Sequence, residues 1–485
     1  MHNHSKLIPI ALISVIVILG MVISLQMSQE GAMPITLLAL LAIPAIILFI
    51  KYPWMAIAIF FMLIPLENLY VYRGSMTAST TKLFGALLFG LLITSGSLKY
   101  ISETFFNKKG IWMLIFGGTA LLSIFLSNDV RLEKASLITL WLSIILYFVL
   151  IMMMRNTRTL HLATIGLIIG GVLSILSPMV LGIGSVLDEK RYGGLWGDQN
   201  EFAAMLLVLI PLSIALFYTT KKGLVKMLLL GCSIMLIAGL ALTYSRGGYL
   251  AFGVMIILAM FKFITGKNRV KILAIAIPCL IIGSVIFYYT FGNEFIARME
   301  TLRHLESRES LRGEGSLNQR FYYYFELGPK IFAEDPIFGV GFRGFILHNP
   351  RGQISHNTYI EVLTGTGLVG FIPFIIILYM TWRETRRVER YASTEGNEGY
   401  LWCYANALEL GLISYLLAGM FISLDINKMT WLLVTLSAVI LNISRIHYLA
   451  AHRERVEAEA GRQQWTAGYG VRGRPQYGPY GQAKY

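Results

Sequence analysis

Apolar runs of roughly 16–24 residues recur from one end of the chain to the other, each long enough to cross about 30 Å of hydrocarbon as a helix. A chain of that construction is not a soluble protein. Of its 485 residues, 56% are hydrophobic and 14% charged, where an average globular chain carries about 25% charged residues; the mean hydropathy is +0.64. The sequence therefore predicts an all-α, polytopic integral membrane protein with about 12–14 transmembrane helices. Fourteen candidate spans begin near residues 7, 34, 53, 83, 111, 137, 162, 202, 227, 249, 272, 358, 401 and 428. The run Leu7–Gln26 is too long for the apolar region of a cleavable signal peptide and lacks a small-residue cleavage site, so it is expected to stay as the first span.

The formal net charge of +14 reads first as a topology signal, because Lys and Arg collect in cytoplasmic loops. With the N-terminus inside, eighteen Lys and Arg fall in cytoplasmic segments, among them Lys108, Lys109, Lys221, Lys222, Lys226 and Lys262. The short loops on the other side hold eight, including Lys82, Arg191, Arg246 and Lys428. Both termini are accordingly expected in the cytoplasm. Cys232, Cys279 and Cys403 lie inside apolar runs without close pairing, a pattern for neither a disulfide framework nor a zinc site.

Residues 1–185 read as N-terminal transmembrane helices, 186–446 as a second transmembrane module, and 447–485 as a disordered cytoplasmic tail. The tail is rich in Gly, Tyr, Gln and Arg and is read as solvated, with no nucleic-acid partner. Within the second module, residues 291–356 form the one sizeable extramembrane loop. Its stretches 296–306 and 317–335 alternate apolar and charged residues at near-helical spacing, as helices on a membrane surface do.

Under this topology the informative polar clusters share one side of the membrane. Arg191-Tyr-Gly-Gly-Leu-Trp-Gly-Asp198-Gln-Asn200-Glu-Phe places an arginine, a glycine-rich turn and a carboxylate just before an apolar helix. Asp198 or Asn200 can cap that helix, leaving amide donors and an arginine near one point for an anion; equally, Asp198 is only a cap and Arg191 an interfacial anchor. Tyr244-Ser-Arg246-Gly-Gly interrupts an otherwise continuous apolar stretch, so Arg246 faces a polar cavity or anchors a hairpin end. Finally, Gly339-Val-Gly341-Phe precedes His356-Asn357-Thr-Tyr359-Ile-Glu361, with Gly365, Gly367 and Gly370 in the next span. Those small residues invite close helix packing or a substrate groove, and His356 stands at the loop-to-helix junction. No zinc-protease helix motif, P-loop or dinucleotide fingerprint occurs, so no metal or cofactor is expected.

Taken together, RYGGLWGDQNEF (191–202), YSRGG (244–248), PIFGVGF (336–342) and HNTYIEVLTGTGLVG (356–370) resemble the O-antigen ligase and polymerase superfamily of bacterial envelope glycosyltransferases. The last segment is similar to the ligase pattern of His, Asn, nine residues and Gly-x-x-Gly. It departs at Phe371-Ile372, where that pattern has Thr-Gly, and this leaves ligase and polymerase both open. The resemblance implies a helical fold like the GT-C class, with 186–446 as the ligase-like module. It further implies metal-independent, inverting transfer of a glycan from a polyprenyl (undecaprenyl) diphosphate carrier to a glycolipid or glycan acceptor such as a lipid A core, in lipopolysaccharide or polysaccharide biosynthesis. The place implied is the outer, periplasmic face of the bacterial inner membrane, with the lipid bilayer as surroundings.

In the roles carried over, Arg191 and Arg246 engage the diphosphate and His356 lies at the transfer site. Arg320 resembles a further arginine position, and Asp198, Asn200, Asn357 and Tyr359 are expected to line the substrate site. A guanidinium fork suits diphosphate oxygens and stays charged at any relevant pH, while His356 can take or orient the acceptor proton. A polymerase joining lipid-linked repeat units is the rival within the superfamily. From another class, a transporter would place its ionisable residues near the midplane and show inverted repeats, and no such repeat is seen.

Overall fold

The computed structural model describes residues 44–66, 80–105, 107–126, 134–181, 192–263, 316–395 and 399–469. Among them there are helices and no strands, as the apolar periodicity requires. In chain order these are α1 (Pro44–Lys51), α2 (Pro53–Leu63), α3 (Thr80–Thr94), α4 (Ile101–Phe105), α5 (Lys108–Leu126), α6 (Lys134–Met153), α7 (Thr157–Leu181), α8 (Gln199–Thr219), α9 (Gly223–Leu242) and α10 (Arg246–Phe263). After them come α11 (Ser316–Tyr322), α12 (Gly328–Glu334), α13 (Phe345–His348), α14 (Thr358–Glu395), α15 (Gly399–Ala418) and α16 (Lys428–Tyr469).

Nine of these helices are long and apolar enough to cross a membrane, or up to eleven if two bent pairs each count as one crossing. The chain is a multi-pass membrane protein. The candidate spans near residues 7 and 272, and most of that near 34, lie outside the described residues. Those near 53 and 83 differ from a straight crossing. Helix α2 has 11 residues, about 17 Å at 1.5 Å per residue, too little for about 30 Å of hydrocarbon; it meets α1 at 113°. The bend sits at Tyr52, which Pro53 excludes from helical geometry (φ −134°, ψ 72°). A second bend, of 91°, separates α3 from the segment leading into α4, and Gly96 holds it with a φ of +67°.

Helices α8 and α16 form the centre, with 78% and 83% of their membrane-crossing windows buried, while α10, at 17%, is a membrane-facing edge. Helix α8 packs most extensively on α15, and α14 is held between α5, α15 and α16. Helices α2 and α7 touch backbone to backbone. A Cβ on Gly166 or Gly170 would fall 2.2 or 2.1 Å from the carbonyl oxygens of Ala58 and Met62, so this small-xxx-small pair is a packing seam.

Cations counted as loop residues from sequence are partly interior. Lys109 is fully buried and pairs with Glu384 of α14, while its Nζ also donates to Val434 O and Ser437 Oγ of α16, each at 2.7 Å. Lys262 pairs with Glu409, and with Glu389 at 3.2 Å. The loop stretch expected as a surface helix over 317–335 is helical from Ser316 to Glu334, with a π-helical turn over Tyr323–Leu327. It buries Tyr323, Leu327 and Ile331 against Phe345. The other expected stretch, 296–306, lies outside the described residues. Helix α16 runs through residue 447, the expected start of a disordered tail, and continues to Tyr469; residues 470–485 are outside the described set.

Candidate functional site at one end of the bundle

The helix beginning at Gln199 starts where it does because Asp198 caps it: its Oδ1 accepts the Asn200 and Glu201 amides at 2.7 and 2.9 Å. Asn200 then reaches sideways, its Oδ1 accepting the Ser245 hydroxyl at 2.8 Å. That bond ties the entry of α8 to the Tyr244–Gly248 turn, whose Arg246 is the first residue of α10. Gly248 packs so closely that a Cβ there would meet the Ala203 methyl at 2.8 Å, and one on Gly247 would lie 3.1 Å from Phe421. Phe421 belongs to the connection between α15 and α16, which also receives the histidine segment.

His356 and Asn357 form that segment. Asn357 caps α14, its Oδ1 accepting the Tyr359 and Ile360 amides at 2.9 and 3.1 Å, while its Nδ2 donates to Met420 O at 3.0 Å. The π-helical turn aims Tyr324 back at this point, and its hydroxyl donates to His356 O at 2.7 Å and to Met420 O at 3.0 Å. Tyr359 is anchored by Leu416 O at 2.9 Å. His356 is thereby held with a φ of 54°. Tyr244 and Arg343 also have positive φ, 47° and 67°, and these three are the described non-glycine residues in that region. Such backbone strain costs on the order of 1–3 kcal/mol per residue and concentrates at functional sites.

Arg343 and its partners were not recognised from sequence. Its NH1 lies 3.1 Å from Asp425 Oδ1 and 3.9 Å from Glu361 Oε1. Asp425 and Glu361 are buried. The other Glu361 oxygen accepts the Ser355 amide at 2.9 Å and the Ser355 and Ser423 hydroxyls at 2.6 and 3.3 Å. Glu361 Oε1 and Asp425 Oδ2 accept no hydrogen bond from the described residues. The arrangement is positioned by interleaved glycine backbones. A Cβ on Gly339 would meet Gly367 N at 2.5 Å and one on Gly367 would meet Ile337 O at 2.2 Å. Gly367 breaks α14 (φ 58°, ψ −165°), and the loop satisfies the freed groups: Leu368 N donates to Pro336 O, Val369 N to Ile337 O and Val340 N to Thr364 O, at 3.0–3.1 Å. The small residues expected either to pack or to line a groove therefore pack backbone on backbone.

The N-termini of α8, α10, α14 and α16 thus converge. Asn200 joins α8 to α10, Asn427 donates to Glu201 Oε2 at 3.4 Å between α16 and α8, and Thr358 N donates to Gly419 O at 2.8 Å. Each helix start adds partial positive charge, and Arg246, Arg320 and Arg343 add three guanidinium groups. Burial lowers the His356 pKa below its ordinary 6.5; Arg320 and Arg343 lower it further, and Asp198 and Glu361 oppose them. The shift favours the neutral imidazole, the form able to accept a proton. Burial pushes Asp425 upward against the pull of Arg343, and pushes the Tyr324 hydroxyl up to about 12. Among the described residues, no group of three or more His, Cys, Asp or Glu side chains is placed to hold a metal ion.

One pH effect follows from this geometry. A base works above its pKa, so a lowered pKa carries activity further into acid. Removing the Arg320 cation with Arg320→Ala should let the His356 pKa rise and move the acidic limb of kcat/KM to higher pH. An unmoved limb in a folded variant would separate Arg320 from the imidazole.

Of the residues singled out from sequence, Arg246, Arg320, Asp198, Asn200, His356, Asn357 and Tyr359 are thus at one end of the bundle, and Arg191 lies outside the described residues. Asp198 and Asn357 act as helix caps and Tyr359 as an anchor; Arg246, Arg320 and His356 are the groups suited to an anion and a proton. Phe371 is half-buried and Ile372 exposed on the membrane side of the Gly367 break, so the departure from Thr-Gly falls beyond the break, away from the histidine. Residues 231–375 match the family described as O-Antigen ligase. The match takes in Arg246, Arg320, Arg343 and His356 and begins after Asp198. The chain is also similar to an uncharacterized protein of Haemophilus influenzae (strain ATCC 51907 / DSM 11121 / KW20 / Rd), 28% identical over 312 residues, covering 60% of this chain and 75% of the relative.

Proposed function

We propose that the chain is a ligase- or polymerase-type glycosyltransferase that moves a glycan from a polyprenyl-diphosphate carrier to an acceptor hydroxyl, a reading supported by the match of residues 231–375 to the O-antigen ligase family. The acceptor is a glycolipid such as a lipid A core, and the site opens at the outer face of the bacterial inner membrane. The observation carrying this reading is the convergence of four helix N-termini, with Arg246 at the start of one of them, and the action of Arg320 and Arg343 on a half-buried His356. Arg246 and Arg320, with Arg191 by resemblance, hold the diphosphate, whose charge grows as the glycosidic C–O bond breaks. The acceptor oxygen forms the new bond at the anomeric carbon from the opposite face, its proton passes to the His356 imidazole, and the polyprenyl diphosphate leaves with the bonding electrons. Arg343, already balanced by Asp425 and Glu361, fixes the frame.

Reconstitution with a lipid-linked oligosaccharide and candidate acceptors tests the reading. One new glycolipid band is expected; a regularly spaced ladder would make the enzyme a polymerase, and no transfer to any glycan acceptor would end the proposal. In the same assay Arg246→Ala should lose transfer through weakened donor binding, and Arg246→Lys should restore it only in part, since an ammonium keeps the charge but not the fork. Near wild-type turnover by a normally inserted Arg246→Ala would reduce the residue to an anchor.

A further inference from the structure

Asn357 already caps α14, yet Glu361, one turn further on, reaches back past the cap. In the usual capping box an acid in the first turn accepts the amide of the capping residue itself. Glu361 Oε2 accepts instead the amide of Ser355, two residues before the cap, at 2.9 Å, and it lies 2.6 Å from the Ser355 hydroxyl and 3.3 Å from that of Ser423. His356 is the residue stepped over. Glu361 is 1% exposed, and taking a carboxylate out of water is costly. Interaction with the helix dipole alone does not require that burial.

The turn at His356 supplies the reason. With φ at 54° the residue is in the left-handed region, and relaxation to the ordinary one, about −63°, would rotate its Cβ by about 120° relative to Ser355. The imidazole keeps its place because both sides of the turn are fixed. Downstream, Asn357 starts the helix, and Tyr324 holds the His356 carbonyl. Upstream, Ser355 is the anchor, held at its amide and its hydroxyl by Glu361, and its Oγ accepts the Asn357 amide at 3.3 Å. The other oxygen of Glu361 faces Arg343 NH1 at 3.9 Å. One side chain thus stands between two of the three described non-glycine residues with positive φ.

Resting on the reading of His356 as the group that takes the acceptor proton, we infer that Glu361 is a positioning residue: its hydrogen bonds to Ser355 fix the turn that sets the imidazole against the acceptor hydroxyl. The role demands reach more than charge. Asp425 alone matches Arg343, at 3.1 Å, so neutralising Glu361 strands no cation. The charged groups acting on the imidazole are Arg320 of α11, Arg343 between α12 and α13, Asp198 before α8, and Glu361 itself; Glu361 in turn faces Arg343 and Asp425.

Two substitutions in the full chain separate reach from charge. Glu361→Asp keeps the charge and shortens the arm by one methylene. Glu361→Gln keeps the arm, and its carbonyl oxygen can accept both Ser355 donors with its two lone pairs. In the transfer assay Glu361→Asp should lose about 10²-fold in kcat, the cost of a displacement of about 1 Å, with donor Kd unchanged, whereas Glu361→Gln should keep kcat above the imidazole pKa. Because Glu361 raises the His356 pKa, Glu361→Gln should also move the acidic limb to lower pH, opposite to Arg320→Ala. A second readout needs no transfer: titration of the His356 imidazole by NMR of isotope-labelled histidine, its signal assigned by its absence in His356→Gln. A ring freed from burial and from Arg320 titrates closer to 6.5, so its pKa should rise in Glu361→Asp and fall in Glu361→Gln. Wild-type kcat and titration in Glu361→Asp, or a comparable loss of kcat in Glu361→Gln, would overturn the proposal. If the wild-type chain transfers no glycan, the functional reading fails, while opposed titration shifts in the two variants would still place the ring under the control of Glu361.

Discussion

Replacing His356 with Ala is expected to slow transfer by about 10²–10⁴-fold, the usual cost of removing a general base, while donor binding persists. The arginines and helix N-termini that would hold the diphosphate are separate from the imidazole, so affinity and turnover should part company in this variant. His356→Gln distinguishes two roles. Glutamine can orient the acceptor hydroxyl but cannot take its proton, so a loss close to that of Ala, with the acidic limb of the pH profile abolished, is expected. Near wild-type activity of His356→Gln across pH would leave hydrogen bonding as the contribution of the position. His348→Ala is the control: its Nδ1–H donates to Gly344 O at 3.0 Å and its ring faces Glu334 at 3.4 Å, so both of its partners differ from those of His356, and turnover should hold. Parallel losses in His348→Ala and His356→Ala would indicate a shared folding defect.

Removing Arg343 should be the most destabilising single change at this end. Arg343→Ala strands Asp425, Glu361 and the neighbouring Glu201 without their cation, and breaking one side of a buried ion pair costs about 3–5 kcal/mol. The loss is read from the unfolding midpoint in detergent. Asp425→Asn in the Arg343→Ala background should recover part of it, because the second change removes a charge that the first left uncompensated. An Arg343→Ala protein that unfolds like wild type would show that the carboxylates are protonated or hydrated without the arginine. Donor binding by the surviving folded fraction should be near normal if Arg343 frames the site and does not touch the diphosphate.

Periodicity made the spans legible, and the one-sidedness of Asp198, Arg246 and His356 was visible because each sits at the same end of an apolar run. What could not be seen was pairing. Lys109 looks like a loop cation until Glu384, 275 positions away, is brought beside it. Arg343 follows a conspicuous Gly-x-Gly pair, but its partner Asp425 is 82 positions further on in a connection with no motif of its own. The signal that could have found it is local: a lone acid just before the final apolar run, at the face where the other polar clusters gather. Glycine spacing showed that backbones approach closely around residues 365–370, without saying that the loop at 336–340 is what approaches. The bends at Tyr52 and Gly96 were written in Tyr-Pro and Gly, yet continuous hydrophobicity outweighed them in counting spans.

The break at Gly367 divides α14 into two mechanical parts. The first turns, carrying Thr358 and Glu361, exchange hydrogen bonds with the 336–340 loop and the Gly419–Asp425 connection, and Gly367 interrupts the helical geometry between them and the long remainder. Modularity therefore follows tertiary contacts and cuts across helix boundaries. A chimera that borrows the loop from a relative without the matching 358–369 segment would set a side chain against a carbonyl at about 2–3 Å, whereas the part of α14 beyond residue 370 can be exchanged as ordinary membrane-spanning helix. A sequence change in either of these two stretches, 336–340 or 358–369, has to be matched in the other, because each fills the space that the other leaves.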